Sequence, residues 1–91
     1  MNKKCMRCLI SGKVQGVGYR TATKSKAQEL GVTGWVRNLP DKRVEVLLYG
    51  DAQQIDLLRD WLWQGPLAAK VNDVACEIVA EQGFTEFEIL A

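Results

Sequence analysis

The stretch Gly12-Lys13-Val14-Gln15-Gly16-Val17-Gly18-Tyr19-Arg20 constrains this chain more than any other. An apolar, strand-like run from Met6 to Ile10 leads into it, and a helix-compatible segment, Thr21 to Leu30, follows it. A glycine-rich turn between a strand and a helix can aim several backbone N–H groups at one point. With the positive end of the helix, these groups form an anion site. An arginine at the mouth of the turn adds a planar, permanently charged fork suited to phosphate. The stretch therefore implies a strand–turn–helix unit and a phosphate or carboxylate ligand.

The rest of the chain supplies partners for that unit. Cys5 to Gly12 reads as a first strand. Thr21 to Leu30 reads as a helix, with Thr21 as a candidate N-cap, Gly31 as its stop and a thin apolar face of Ala22, Ala27 and Leu30. Val32 to Asn38 and Arg43 to Tyr49 read as strands joined by the turn signal Leu39-Pro40-Asp41-Lys42, the second alternating Val44, Val46 and Leu48 against Arg43, Glu45 and Leu47. Asp51 and Gln54 resemble a capping box ahead of an apolar stripe, Ile55, Leu58 and Leu62 with Leu57 and Trp61 beside it, and Gly65-Pro66 stops that helix. Val71 to Val79 and Phe84 to Leu90 complete the strands. The order predicts an α+β fold: a ferredoxin-like βαββαβ sandwich with an extra terminal strand, two helices packed on one face of an antiparallel sheet. Residues 1–91 are expected to form a single domain of this kind, large enough to bury about 60–65% of the chain's surface.

Composition then removes function classes. The chain has no histidine, so Ser–His and Cys–His nucleophile pairs and histidine metal sites are excluded. Its formal charge is +1, which gives no basic excess for nucleic acid. Lys3, Lys4 and Arg7 interrupt the N-terminal region too soon for a signal peptide, and no apolar run is long enough to span a bilayer. A cytoplasmic location without a membrane partner is expected. The cysteines are Cys5, Cys8 and Cys76; their odd number argues against a disulfide framework. Cys5 and Cys8 on one strand lie about 10 Å apart on opposite faces, too far to bridge. All three are expected to be small buried hydrophobes.

Spacing separates the glycine turn from other anion loops. The P-loop pattern fails, because Val17 stands five residues after Gly12 and no glycine is followed by Lys-Ser or Lys-Thr. The dinucleotide pattern begins at Gly16 and Gly18 but meets Thr21 where its last glycine belongs. A cysteine-phosphatase loop needs a cysteine at its start, and neither Cys5 nor Cys8 is so placed. The turn is therefore a phosphate cradle without a protein nucleophile.

Gly12-x-Val14-Gln15-Gly16-Val17-x-Tyr19-Arg20 closely resembles the first signature of the acylphosphatases. The second signature is similar to Gly34-Trp35-Val36-Arg37-Asn38, followed by Val44-Glu45-Val46 and Gly50. The resemblance extends over essentially the whole chain. It implies hydrolysis of acyl phosphates to a carboxylate and inorganic phosphate, without metal, cofactor or covalent intermediate. It assigns phosphate binding to Arg20 and to the loop backbone of Gln15, Gly16, Val17, Gly18 and Tyr19, and orientation of the attacking water to Asn38. A monomer is expected, because no apolar surface stripe beyond the core is evident.

Two departures from the family pattern stand out. Lys42 occupies a turn position that is usually glycine, so either it takes a positive φ or Pro40 imposes another turn shape. Tyr19 replaces the more common phenylalanine; its ring is expected to pack under the loop. Lys13, Lys24 and Arg37 are read as solvated charges. Two competing readings are weaker: an inactive phosphate-sensing or interaction module, disfavoured by the intact Arg20 and Asn38, and an RNA-recognition motif, disfavoured because Arg43 to Tyr49 does not carry the glycine and aromatic pattern expected there and the net charge is near zero.

Overall fold

The computed structural model describes residues 2–90. Its elements run β1 (Lys3–Lys13), α1 (Tyr19–Leu30), β2 (Thr33–Asn38), β3 (Val44–Asp51), α2 (Ala52–Leu62), β4 (Lys70–Val79) and β5 (Phe87–Ile89). The strands form one sheet in the order β4-β1-β3-β2-β5. The first four pair antiparallel, as expected, but β5 pairs parallel to β2, through Gly34↔Phe87 to Val36↔Ile89. The sheet is therefore mixed rather than purely antiparallel. The ferredoxin-like sandwich itself is as the element order predicted.

Period-two alternation places the core. Met6, Cys8 and Ile10 of β1, Val36 of β2 and Val44, Val46 and Leu48 of β3 gather with Tyr19 and Ala27 of α1 and Ile55, Leu58 and Leu62 of α2 into one buried cluster. Leu57, read as part of the α2 stripe, is instead exposed. Asp51 caps α2, but its carboxylate accepts from the Gln53 N–H at 3.0 Å rather than from Gln54.

The opposite face of β3 is also covered. Glu45, expected on the polar side of the alternation, is only 4% exposed. Arg7 of β1 and Arg37 of β2 flank it, donating from their Nε atoms at 2.5 and 2.6 Å. Burial alone would push this carboxyl up, but hydrogen bonds and charge from Arg37 and Arg7 outweigh it and hold Glu45 below the ordinary range. Arg37 also stacks over the Trp35 ring at 5.2 Å, so it is a member of this sheet-face cluster and not a free surface charge.

The cysteine expectation is corrected. Cys8 of β1 stands opposite Cys76 of β4, and the two form a disulfide across a Cα–Cα distance of 4.1 Å. The pairing is set by the register of strands 68 residues apart, which cysteine counting cannot reveal. Cys5 is free and buried, and burial pushes its thiol up.

The β2–β3 connection also resolves. Leu39 N–H bonds to Arg43 O and Lys42 N–H to Leu39 O, a type I turn across Pro40-Asp41 followed by one left-handed residue. That residue is Lys42, with φ 75°. The strain of a lysine in the left-handed region is about 1 kcal/mol or slightly more.

Candidate functional site

The glycine turn sits where β1 leaves the sheet. At Gly12 the β1–β4 register shifts, and the β1 backbone comes so close to β4 that a Cβ there would stand 2.2 Å from Lys70 O. Only glycine permits that approach. The chain then turns through Val14, buried at the base, and half-buried Val17, which rests on the core.

Helix α1 starts earlier than expected. Gly18, left-handed at φ 81°, is its N-cap, and Thr21 lies inside the helix rather than capping it. The first helical bond runs from Ala22 N–H to Gly18 O, so the N–H groups of Tyr19, Arg20 and Thr21 have no partner within the helix. The first turn carries no acidic residue and no side-chain cap. Orphan donors and the positive helix end thus stand at the residue that bears the Arg20 guanidinium, without a first-turn carboxylate to neutralise them.

Tyr19 fixes that helix end. Its ring is buried beside Trp61, and its hydroxyl donates to Leu62 O at 2.6 Å. Burial pushes the phenol's titration well above its usual value, so it stays neutral. The ring packs at the end of α2, against Trp61 and Gly65, and the hydroxyl's partner is α2's last carbonyl.

A cavity of about 90 Å³ opens at the helix end, lined by Val14, Gly16, Gly18, Tyr19, Arg20, Thr21 and Asn38. It is far below the ~300–1,000 Å³ of sites that enclose drug-sized ligands, and it suits a group the size of phosphate. Asn38 ends β2 and enters this cavity from across the sheet. Its Oδ1 is the one buried side-chain polar atom without a hydrogen-bond partner among the described residues. Such an atom normally costs about 1–3 kcal/mol, so it marks a place where a ligand or water is received.

The structure thus brings Arg20, Asn38, Gly16, Gly18 and Tyr19 to one cavity. Gln15 and Val17 do not line it. Gln15 instead turns its side chain toward the β2–β3 turn, its Nε2 donating to Leu39 O and Arg43 O, each at 2.9 Å. It ties the glycine turn to the hairpin that carries Asn38. Sequence reasoning missed this brace and the lining residues Val14 and Thr21. For Gln15 the only signal was its place inside the signature.

Comparison with known proteins points to one family. The family model for acylphosphatase matches residues 6–89. An acylphosphatase of Nitrosococcus oceani is 56% identical over 85 residues, covering 93% of this chain and 96% of the relative. The structure of an acylphosphatase from Coxiella burnetii superposes with a TM-score of 0.95 at 39% identity, covering 98% of this chain and 94% of that one. The acylphosphatase from Bacillus subtilis superposes at 0.93 with 30% identity, covering 96% of this chain and 98% of that one. With both signatures and the whole fold in agreement, the chain belongs to the acylphosphatase family, enzymes that release phosphate from acyl phosphates.

Proposed function

We propose that in this acylphosphatase the Gln15–Tyr19 backbone and Arg20 hold the substrate phosphate while Asn38 orients the attacking water. The observation that carries this reading is that Asn38, whose buried Oδ1 has no partner, lines the same cavity as Arg20 and the start of α1.

The chemistry needs little more. Phosphoryl transfer depends mainly on positioning and charge stabilisation. Arg20 and the orphan N–H groups stabilise the charge on the phosphoryl oxygens. The leaving carboxylate has a conjugate acid of pKa about 4, so it departs without a general acid. The Asn38 amide oxygen accepts a hydrogen bond from water and aims it, but an amide is too weak a base to take the proton. A phosphate oxygen of the substrate accepts it instead. Every proton in this scheme moves between water and substrate, so the absence of histidine is no obstacle. The scheme uses no metal, cofactor or covalent intermediate.

In the same reading residues 1–91 act as one domain and as a monomer in the cytoplasm, without a nucleic-acid or membrane partner. No helix among the described residues is long and apolar enough to cross a membrane.

Hydrolysis of benzoyl phosphate by Asn38→Ala and Arg20→Ala, measured beside inorganic phosphate binding, tests the assignment. Asn38→Ala should lose turnover and keep phosphate affinity; Arg20→Ala should lose both. Equal loss of phosphate affinity in the two variants would contradict the roles.

A further inference from the structure

A second cavity, of about 330 Å³, adjoins the phosphate-sized one. Gly12, Lys13, Val14, Gln15 and Lys42 line it, and Val14 is a wall of both. The two cavities therefore meet at the glycine turn, and the β2–β3 hairpin that Gln15 secures bounds the second through Lys42.

Its charge is all of one sign. Lys13 and Lys42 have no carboxylate within salt-bridge distance among the described residues, and neither has Arg20 in the neighbouring cavity. The carboxylate nearest Lys42 in sequence, Asp41, is engaged by the Arg43 N–H at 3.2 Å and the Arg43 Nε at 2.8 Å. Across the β1–β4 ladder Lys13 stands directly opposite Lys70, a like-charge pair that weakens the sheet. Lys42 holds the left-handed position that glycine or asparagine would occupy without strain. Two local penalties thus fall on lysines that line one cavity. Strain of this kind gathers at ligand sites.

We infer that the Lys13–Lys42 cavity is a subsite for a second anionic group carried on the acyl part of the substrate. The inference rests on phosphate occupying the Arg20 cavity. From there the acyl group leaves the small cavity, and a carboxylate or phosphate on it meets Lys13 and Lys42. The subsite thus makes this enzyme selective for acyl phosphates with an acidic acyl chain over their neutral counterparts.

The test compares benzoyl phosphate with its 3- and 4-carboxy derivatives, which carry the added charge on a rigid ring and cannot cyclise. The full chain should show a kcat/KM for at least one carboxy compound that exceeds the benzoyl value about fivefold at low salt, the preference shrinking as ionic strength rises. Lys42→Asn, which suits the left-handed position, and Lys13→Gln should each reduce the ratio, and the double variant should bring it near one. Lys42→Arg should keep it. Every substrate carries the reacting phosphate, so the ratio reads the added carboxylate, and a difference between the 3- and 4-carboxy compounds separates a placed contact from general attraction, which raises both alike. Turnover of all three compounds with equal kcat/KM, or a preference that survives in the double variant, overturns the subsite alone. Failure to hydrolyse any of them overturns the catalytic reading and the subsite with it.

Discussion

Two clusters of charge lie on this small sheet, and they are built in opposite ways. On the open face, Glu45 is enclosed by Arg7 and Arg37, Arg37 is stacked on Trp35, and Arg7 also meets Glu77 at 3.5 Å. Every charge there has its partner. At the glycine turn, one cavity is lined by Arg20, by Tyr19 and Thr21 at the helix end with its unpaired N–H groups, and by Asn38, whose buried amide oxygen has no partner, without a compensating acid. The first cluster is complete in the folded chain and holds strands together. The second becomes complete only when an anion and a water enter. Mutations in the first should therefore be read in stability, and mutations in the second in catalysis.

The largest effects fall on the second cluster. Arg20→Ala should lower kcat/KM by about 10³-fold or more, since a permanently charged fork on a transferring phosphoryl group is worth that much elsewhere. Asn38→Ala should lower kcat by about 10²–10³-fold, the cost of a lost preorganised group. Neither should lower the melting temperature much, and Asn38→Ala removes an unpaired buried atom and so should be neutral or slightly stabilising. A melting temperature that fell together with activity would erase the contrast between the clusters.

The disulfide tests whether the sheet beneath the turn can loosen. Cys8–Cys76 closes a loop across 68 residues and joins β1, which delivers the glycine turn, to the edge strand β4. Reduction should cost roughly 2–4 kcal/mol by removing that constraint from the unfolded chain. Melting with and without dithiothreitol, or in Cys76→Ser, should show a fall of about 10–20 °C, while kcat of the folded enzyme at 25 °C changes little. An unchanged melting temperature after full reduction would show that the two strands need no covalent tie. In a reducing compartment the dithiol form is then the one that works.

Much of this architecture was legible in the sequence, and the remainder was hidden for identifiable reasons. The strand–turn–helix unit, the α2 stripe and the hairpin all carry local signals: glycines, alternation and helical spacing. Asn38 was found only through resemblance, because nothing local distinguishes a water-holding asparagine from one that ends a strand. The Cys8–Cys76 pair and the buried Glu45 depend on register between distant strands, which a period-two pattern leaves open. Alternation assigned Glu45 to the solvent side, and it cannot say that Arg7 and Arg37 will arrive from either neighbour to cover it. The parallel pairing of β5 rests on three residues, too few to declare a direction. The side chain of Gln15 reaches the β2–β3 turn across 24 and 28 residues, again beyond local reading.

The first cluster predicts a pH effect on stability. Glu45 has a folded-state pKa below its unfolded value, so its contribution is complete above the ordinary carboxylate range. It is lost as pH falls through the folded-state value. Glu45→Gln should therefore be less stable than the parent at pH 7, by about 1–2 kcal/mol because both arginines are half exposed. The gap should narrow as the pH drops toward that value. Denaturant melts of both proteins at several pH values would measure it. A gap that stayed constant, or widened in acid, would show that the arginines do not hold the carboxylate ionised. Activity per folded molecule should be unaffected, which is the counterpart of the Arg20 result.

Lys42 joins the two kinds of behaviour, with the smallest effect. Lys42→Gly removes left-handed strain worth about 1 kcal/mol or slightly more, but glycine also gains freedom in the unfolded chain, which returns part of it. A net stabilisation of about 0.5 kcal/mol is expected, visible as a rise of a few degrees in melting temperature. Lys42→Asn should be similar, since asparagine tolerates the same conformation with less unfolded-state entropy. If both variants are more stable than the parent while losing preference for carboxylated substrates, stability and selectivity trade against each other at this one turn. If both are less stable, the lysine is held by contacts that outweigh its strain, and its place at the cavity edge is a matter of packing.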